Sequence, residues 1–270
     1  MIYIRVPNSV DVNLFIIRRY LHHLLTARHY KGHGIHSPFV FHLVNDLFCQ
    51  KHLYYWMKVI NDIRKAYYQN FTAISMDAPF RKGAVPSSTI SKVTQHSAIG
   101  RKHGELLFRL VCEFHPEYII ELGTSLGIST MYLASPSTRS KVFTIEGNAK
   151  HLAIAQNRFK ICGLKNIVPV EGMFDEKLPQ VLKQIPQLDF VYIDGNHQQQ
   201  ATIDYFNQCL AKSHNHTVMA FHDIHWSKGM EAAWKHICEH PQVTVSIDTF
   251  HLGLVFLRKE CPKQHFVVRF

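Results

Sequence analysis

The segment Tyr118-Ile119-Ile120-Glu121-Leu122-Gly123-Thr124-Ser125-Leu126-Gly127-Ile128-Ser129-Thr130 constrains the fold more than any other part of this chain. A β-branched apolar run ends in an acid, a Gly-x-x-x-Gly turn follows, and a helical pattern begins at Ser129-Thr130-Met131-Tyr132-Leu133-Ala134. That order reads as a buried strand, a tight loop and a helix start, the arrangement that brings bare main chain against a nucleotide-like ligand. Glycine at 123 and 127 removes the Cβ that would keep such a ligand away. From residue 98 onward the pattern repeats. Strands are predicted at 118–122, 141–146, 166–171, 188–194 and 216–222, and helices at 99–115, 127–136, 148–162, 174–185, 198–212 and 227–240. Such alternation implies an α/β fold with a parallel sheet and right-handed crossovers. The last two strand patterns, Val243–Ile247 and His251–Leu257, are too close in sequence for a crossover and predict an antiparallel hairpin.

The loop departs from the dinucleotide fingerprint Gly-x-Gly-x-x-Gly, because position 125 is Ser. Glu121 is poorly suited to a pyrophosphate and well suited to a ligand bearing an ammonium group, such as S-adenosylmethionine. The acid that ends the next strand pattern is Glu146, 19 residues after Gly127. That is close to the roughly 20-residue spacing of acids that bind ribose hydroxyls.

With these residues and several further motifs in order, the region from about Gly100 to Arg258 resembles the class I S-adenosylmethionine-dependent methyltransferases. It is most similar to the catechol and caffeoyl-CoA O-methyltransferase-like group. The motifs are Gly100-Arg101-Lys102-His103-Gly104, the Glu121–Ser129 loop, Thr144-Ile145-Glu146-Gly147, Val170-Glu171-Gly172-Met173, Asp189–His197 and Ala220-Phe221-His222-Asp223-Ile224. The resemblance implies a Rossmann-like seven-stranded methyltransferase sheet, order 3-2-1-4-5-7-6, with an N-terminal helical extension. It implies an S-adenosyl-L-methionine site at Glu121, Gly123, Thr124, Ser125, Gly127, Ser129, Glu146, Gly147, Gly172, Met173 and Asp194, with Met173 against the adenine.

Asp194 and Asp223 end the fourth and fifth strand patterns. Neighbouring strands lie about 4.8 Å apart, so the two carboxylates are placed to share a divalent cation. In the resembled group an acid and an Asp-Asn pair hold magnesium or calcium at these positions. Here the pair is Asp223-Ile224, and His222 or His225 would have to replace the Asn, although imidazole favours softer metals. A metal-free role for Asp194 therefore stays open. The resembled group's lysine base is replaced by His197, which with Asp194 and His225 makes the candidate catalytic set. Trp226 is a candidate wall for an aromatic acceptor.

The chain of 270 residues carries a net charge of +10, concentrated in residues 1–97 with 12 Lys/Arg against 4 Asp. Residues 1–97 are expected to form a basic helical region and 98–270 the cofactor-binding domain. Within the first, Leu14, Ile17, Leu21 and Leu24 recur at helical spacing, Ser37-Pro38 marks a helix start running to about Cys49, and another helix is expected from His52 to Tyr68. Residues 76–88 look like a connector or flap, and Lys31–Phe39 like a loop. The six cysteines lack paired spacing and read as reduced. No apolar run spans a bilayer and no signal peptide is recognisable, so a cytoplasmic protein without a membrane span is expected.

Three functional classes follow. The first is methylation of an oxygen on a small-molecule acceptor. The second is an RNA methyltransferase using the basic region as its nucleic-acid platform, disfavoured by the lack of an Asn/Asp-Pro-Pro-Tyr/Phe signature. The third is a non-catalytic cofactor-binding or assembly protein. A homodimer is compatible with all three.

Overall fold

The computed structural model describes residues 9–27, 32–75 and 87–270. Residues 76–86 of the expected flap and Lys31 of the expected loop lie outside them. The chain opens with helices α1 (Ser9–Thr26), α2 (Pro38–His42, continuing as a π-helical stretch Leu43–Phe48) and α3 (Tyr55–Tyr68). A small ribbon β1 (Ala73–Ser75) and β2 (Ser87–Thr89) leads to α4 (Ile90–Ser97) and α5 (Arg101–Phe114). Then come β3 (Tyr118–Leu122), α6 (Ile128–Ala134), β4 (Lys141–Glu146), α7 (Ala149–Ile161), β5 (Ile167–Glu171), α8 (Phe174–Gln184) and β6 (Leu188–Ile193). The chain closes with α9 (Gln199–Leu210), β7 (Ser213–His222), α10 (Lys228–Glu239), β8 (Val245–Asp248), β9 (Leu252–Phe256) and β10 (Gln264–Val267).

The chain divides into two compact units. Lys51–Pro186 make one compact unit, and Ile2–Gln50 with Gln187–Phe270 make another. The reason is packing. α3 contacts α4, α5 and α6 within the first unit, where the Tyr132 hydroxyl donates to Asn61 at 3.0 Å and the Asn61 amide donates to Glu105 at 3.1 Å. Phe39 and Phe48, by contrast, meet Phe256 and Phe270 edge-on in the second unit.

In the first unit β3, β4 and β5 pair in parallel, in register from Tyr118 opposite Lys141 to Glu146 opposite Glu171. Burial explains the sequence: Ile119, Ile120, Leu122, Val142, Phe143 and Ile145 are all inaccessible or nearly so, as strands covered on both faces must be. In the second unit the order is β6–β7–β9–β8–β10. β6 and β7 run parallel, β7–β9 and β9–β8 antiparallel, and β10 parallel to β8. The hairpin is therefore present as expected. The additional edge strand β10 lies beyond the seven expected, because its short mixed sequence Gln-His-Phe-Val carries no clear period.

Helix termini follow local chemistry. Ser37 accepts from the Val40 amide at 3.4 Å with Pro38 in the first turn, and Asn148 accepts from Lys150 and His151 at the start of α7; both are N-caps. α1 forms where its spacing predicts a helix, yet the expected core face does not find a core. Leu14, Ile17 and Leu21 are more than half exposed, while His23 is 5% exposed. The helix is held by polar and aromatic groups, described below. Among the described residues no helix is long and apolar enough to cross a membrane, and the six cysteines are free thiols.

Candidate functional site

In an open α/β sheet, chemistry collects where strands end at their carboxyl edge. In the first unit β3 ends in Glu121 and β4 in Glu146. Glu121 is fully buried and accepts on Oε2 from the Thr144 hydroxyl at 2.6 Å and from the Thr130 hydroxyl. The carboxylate sits beneath the loop and ties β3, β4 and α6 together.

The loop above it is built from main-chain constraints. Gly123 and Gly127 have φ of 109° and 84°, and Ser125 shares the left-handed region at 46°. The Gly123 amide donates to the Ile145 carbonyl at 3.0 Å, and the Gly127 amide to the Thr124 carbonyl at 2.8 Å. Thr124 and Ser129 turn their side chains inward and are buried. The Thr124 hydroxyl meets that of Thr144, which leaves the loop's main chain, not these side chains, for a ligand.

Glu146 is the acid that this loop surrounds. Its Oε2 accepts from the Ser125 amide at 2.8 Å and its Oε1 from the Asn148 amide at 2.9 Å. Each carboxylate oxygen has a second acceptor direction, so the group can also take a pair of hydroxyls. Gly147 follows it directly, and the Gly172 amide donates to the Glu146 carbonyl at 3.0 Å. Met173 caps α8 and is partly exposed. The cofactor set expected from Glu121 to Met173 thus converges on the carboxyl ends of β3, β4 and β5. Three contributors were missed. Ser97 shares a hydroxyl contact of 2.7 Å with Ser125. Thr144 donates to Glu121 and meets the Thr124 hydroxyl. His151, 2% exposed, is held below the ordinary imidazole pKa by burial, against the pull of Glu146.

The second unit carries the other cluster. Asp194 follows β6, and its Oδ2 accepts from the Tyr192 hydroxyl at 2.9 Å. His222 Nδ1 lies 3.2 Å from Asp194 Oδ1 and 3.4 Å from Asp223 Oδ2. His251 Nδ1 stands 3.8 Å from Asp223 Oδ1, and His197 Nε2 stands 3.8 Å from Asp194 Oδ1. Burial alone would discharge His222. The Asp194 and Asp223 carboxylates outweigh it and hold the imidazole well above its ordinary pKa. Burial works against the Asp223 charge too, but His222 holds that carboxyl far below the ordinary value.

A histidine therefore lies between the two carboxylates assigned in sequence to a divalent metal. Ile224, at the position the resembled group fills with Asn, is 1% exposed in the core. Magnesium and calcium take six or more oxygen ligands, water included, so of the side chains gathered here only the Asp194 and Asp223 carboxylates suit them.

Backbone strain marks the same place. Asn196, His197 and Asp223 all have positive φ, at 66°, 39° and 54°, a conformation uncommon outside glycine that gathers at functional sites. His197 remains partly exposed and faces Trp226, ring centroids 6.5 Å apart and tilted by 39°; Trp226 is 42% exposed. His225 is placed differently from expectation. Its Nδ1 meets Glu231 Oε1 at 2.7 Å and its Nε2 meets Asp248 Oδ2 at 2.8 Å, so both ring nitrogens face carboxylates of the protein.

The His222 pairing carries a pH signature. A raised histidine pKa contributes stability that is full below the unfolded value near 6.5 and lost as pH rises through the folded value. A depressed aspartate pKa contributes stability that is full above about 3.9 and lost as pH falls through the folded value. The His222→Phe variant should accordingly melt below wild type by the largest margin between roughly pH 4 and 6.5. The gap should narrow above that window. A melting series showing a gap independent of pH would mean that His222 acts by packing alone.

The comparisons with known proteins point to methyltransferases. Residues 120–224 match the family described as a methyltransferase domain. Catechol O-methyltransferase of Sus scrofa is 34% identical over 102 residues, covering 36% of this chain and 54% of that protein. The Bos taurus enzyme of the same name is 30% identical over 122 residues, covering 40% of this chain and 44% of its own. The chain thus spans about half the length of the curated relatives it matches. An O-methyltransferase from Bacillus cereus in complex with SAH has the same fold, with a TM-score of 0.54 at 20% identity over 80% of this chain and 96% of that one. Residues 120–224, which carry the strand-end acids and the glycine loop, are thus similar to the methyltransferase domain family. Within that class the chain is similar to the O-methyltransferase-like group represented by the catechol enzymes.

Proposed function

We propose that this protein is an S-adenosylmethionine-dependent methyltransferase acting on an oxygen of a small-molecule acceptor. The observation that carries this reading is Glu146, a buried carboxylate at the end of β4 held by the Ser125 and Asn148 amides. Its fixed orientation and remaining acceptor capacity suit the adjacent hydroxyls of a ribose. The residues present fit the cofactor. Glu146 would hold the ribose, the main chain of 123–127 would lie along the amino-acid portion, and Gly172 and Met173 would border the adenine. When bound, the cofactor supplies an electrophilic methyl group on a sulfonium.

The chain's own residues do the rest. Glu121 keeps the loop in place through Thr130 and Thr144. In the tautomer with Nε2–H toward Asp194, His197 has its lone pair on Nδ1. That atom takes the acceptor hydroxyl's proton as the oxygen attacks, and proton transfer to a positioned base contributes typically 10²–10⁴-fold. Asp194, 3.8 Å from Nε2, places negative charge beside the imidazolium that forms. Trp226 offers its exposed face to an aromatic acceptor. His222 supplies positive charge between Asp194 and Asp223.

Calorimetric titration of the full chain with S-adenosylmethionine tests the cofactor assignment. Saturable one-to-one binding in the micromolar range is expected, and its absence at millimolar cofactor removes the reading. His197→Ala should lower kcat on any accepted phenol by about 10²-fold or more while leaving cofactor affinity unchanged.

A further inference from the structure

α1 rests on the second unit through a polar cluster unrelated to the proposed chemistry. His23 from α1, His225 from the turn after β7, and Asp248 at the end of β8 each offer a ligand atom, and these atoms lie within 4.8 Å of one another. His225 Nε2 is 2.8 Å from Asp248 Oδ2, and His23 Nδ1 is 3.6 Å from Asp248 Oδ1. We infer that His23, His225 and Asp248 form a site for a zinc-class divalent ion that staples α1 to the carboxyl ends of β7 and β8.

The donor chemistry selects the ion. Two imidazoles and one carboxylate suit zinc, whose bonds of about 2.0–2.2 Å to nitrogen and oxygen place tetrahedral ligand atoms roughly 3.3 Å apart. The two His–Asp248 separations, 2.8 and 3.6 Å, lie on either side of that spacing, and all three ligand atoms lie within 4.8 Å of one another.

The surroundings are those of a metal site as well. The His225 Nδ1–H donates to Glu231 Oε1 at 2.7 Å, and Glu231 is itself paired with Arg19 of α1. A carboxylate behind a histidine fixes the tautomer that leaves Nε2 for the metal. His23 makes a backbone hydrogen bond with Val268, the equivalent support for the second imidazole. Asp248 Oδ1 accepts from the Phe250 amide at 2.7 Å.

An apolar lid completes the shell. Phe250 stacks on His225 at 5.1 Å and meets His23 edge-on at 5.4 Å, and it does so from a left-handed backbone, φ 77°. That conformation is costly for an aromatic residue and persists only where neighbours enforce it. His23 and Asp248 are each 5% exposed, which favours a structural ion over one open to substrate. The need is visible on α1: with Leu14, Ile17 and Leu21 exposed, its described attachments are the Arg19–Glu231 pair, Tyr20 against Phe250 and His23 against Asp248. All of them converge here.

The test uses chelator-stripped full-length chain and Zn2+ titrated in competition with a chromophoric chelator. Wild type should take up one tight equivalent. His23→Gln, which keeps size and polarity, should lose at least 100-fold in affinity, and Glu231→Gln, behind the ligand, roughly 10-fold. Substitution with Co2+ should give the intense visible bands of a tetrahedral site in wild type and not in His23→Gln. Zn2+ should raise the Tm of wild type and leave that of His23→Gln unchanged. Equal Zn2+ affinity and stoichiometry in wild type and both variants would overturn the site and assign binding to others of the 20 histidines. Absence of uptake by wild type would overturn it directly. Should His23→Gln fail to fold, the wild-type cobalt spectrum and the milder Glu231→Gln variant still decide.

Discussion

Replacing Glu146 with Ala should weaken S-adenosylmethionine binding by roughly two orders of magnitude. The carboxylate is buried, both oxygens are oriented by main-chain amides, and the resulting geometry leaves acceptor directions for two vicinal hydroxyls. Hydrogen bonds to a charged acceptor contribute about 1.5–3 kcal/mol each, so losing the better of them and part of the second costs about 3 kcal/mol, or ~150-fold in Kd. The alanine variant also frees the Ser125 and Asn148 amides and loosens the loop. Glu146→Gln separates the two effects, since the amide retains one acceptor oxygen. It should lose less than the alanine, about 10-fold. Calorimetric Kd values for the three proteins check the order. Equal affinity in all of them would show that the ribose is not held here, and the proposed cofactor site would fall with it.

Gly127→Val should lower the melting temperature by roughly 10 °C or more. The position has φ of 84°, and a Cβ placed there would come within 2.6 Å of the Phe159 ring and 3.1 Å of the Ala155 methyl. Left-handed backbone costs an L-residue about 1–2 kcal/mol, more for a branched one, and overpacking a filled core adds about 1–3 kcal/mol. The sum of about 3–5 kcal/mol corresponds to a drop of roughly 10 °C in a protein of this size. Gly163→Ala is the internal control. Its φ of 69° is similar, yet a Cβ there meets nothing within 4 Å. Only the conformational cost of about 1 kcal/mol should appear, a shift of ~2–4 °C. If thermal melting finds the two variants alike, contact with Phe159 is not what demands glycine at 127. The comparison also explains the Gly-x-x-x-Gly spacing: the second glycine is required as much by α7 behind the loop as by any ligand in front of it.

Most of the methyltransferase-like half was legible because its signals are local and repeated. β3 and β4 occupy the residues expected from unbroken β-branched runs, and α5 through α10 fall within two residues of their expected bounds. Burial on both faces leaves few sequences that could serve as such strands. The rule that ligands gather at carboxyl strand ends located Glu146, Asp194 and Asp223 without coordinates. It would also have found Asp248, since β8 is antiparallel to β9 and β9 to β7, which makes β8 parallel to β7. Only its reading as half of a hairpin hid it. β10 and α4 were missed because each is short and carries little periodicity.

The sequence by itself determined the order of strands and helices, the glycine loop and the acids that end the strands, because each depends on residues close together along the chain. Tertiary structure alone decided what those charges do. Glu121 became a buried brace when Thr130 and Thr144 closed over it. His222 came to lie between Asp194 and Asp223, and His225 between Glu231 and Asp248. His23 left an exposed apolar helix face to join residues more than 200 positions away. A charged group's role depends on its nearest counter-charge and on its distance from water, and both are fixed by partners that one-dimensional spacing does not identify.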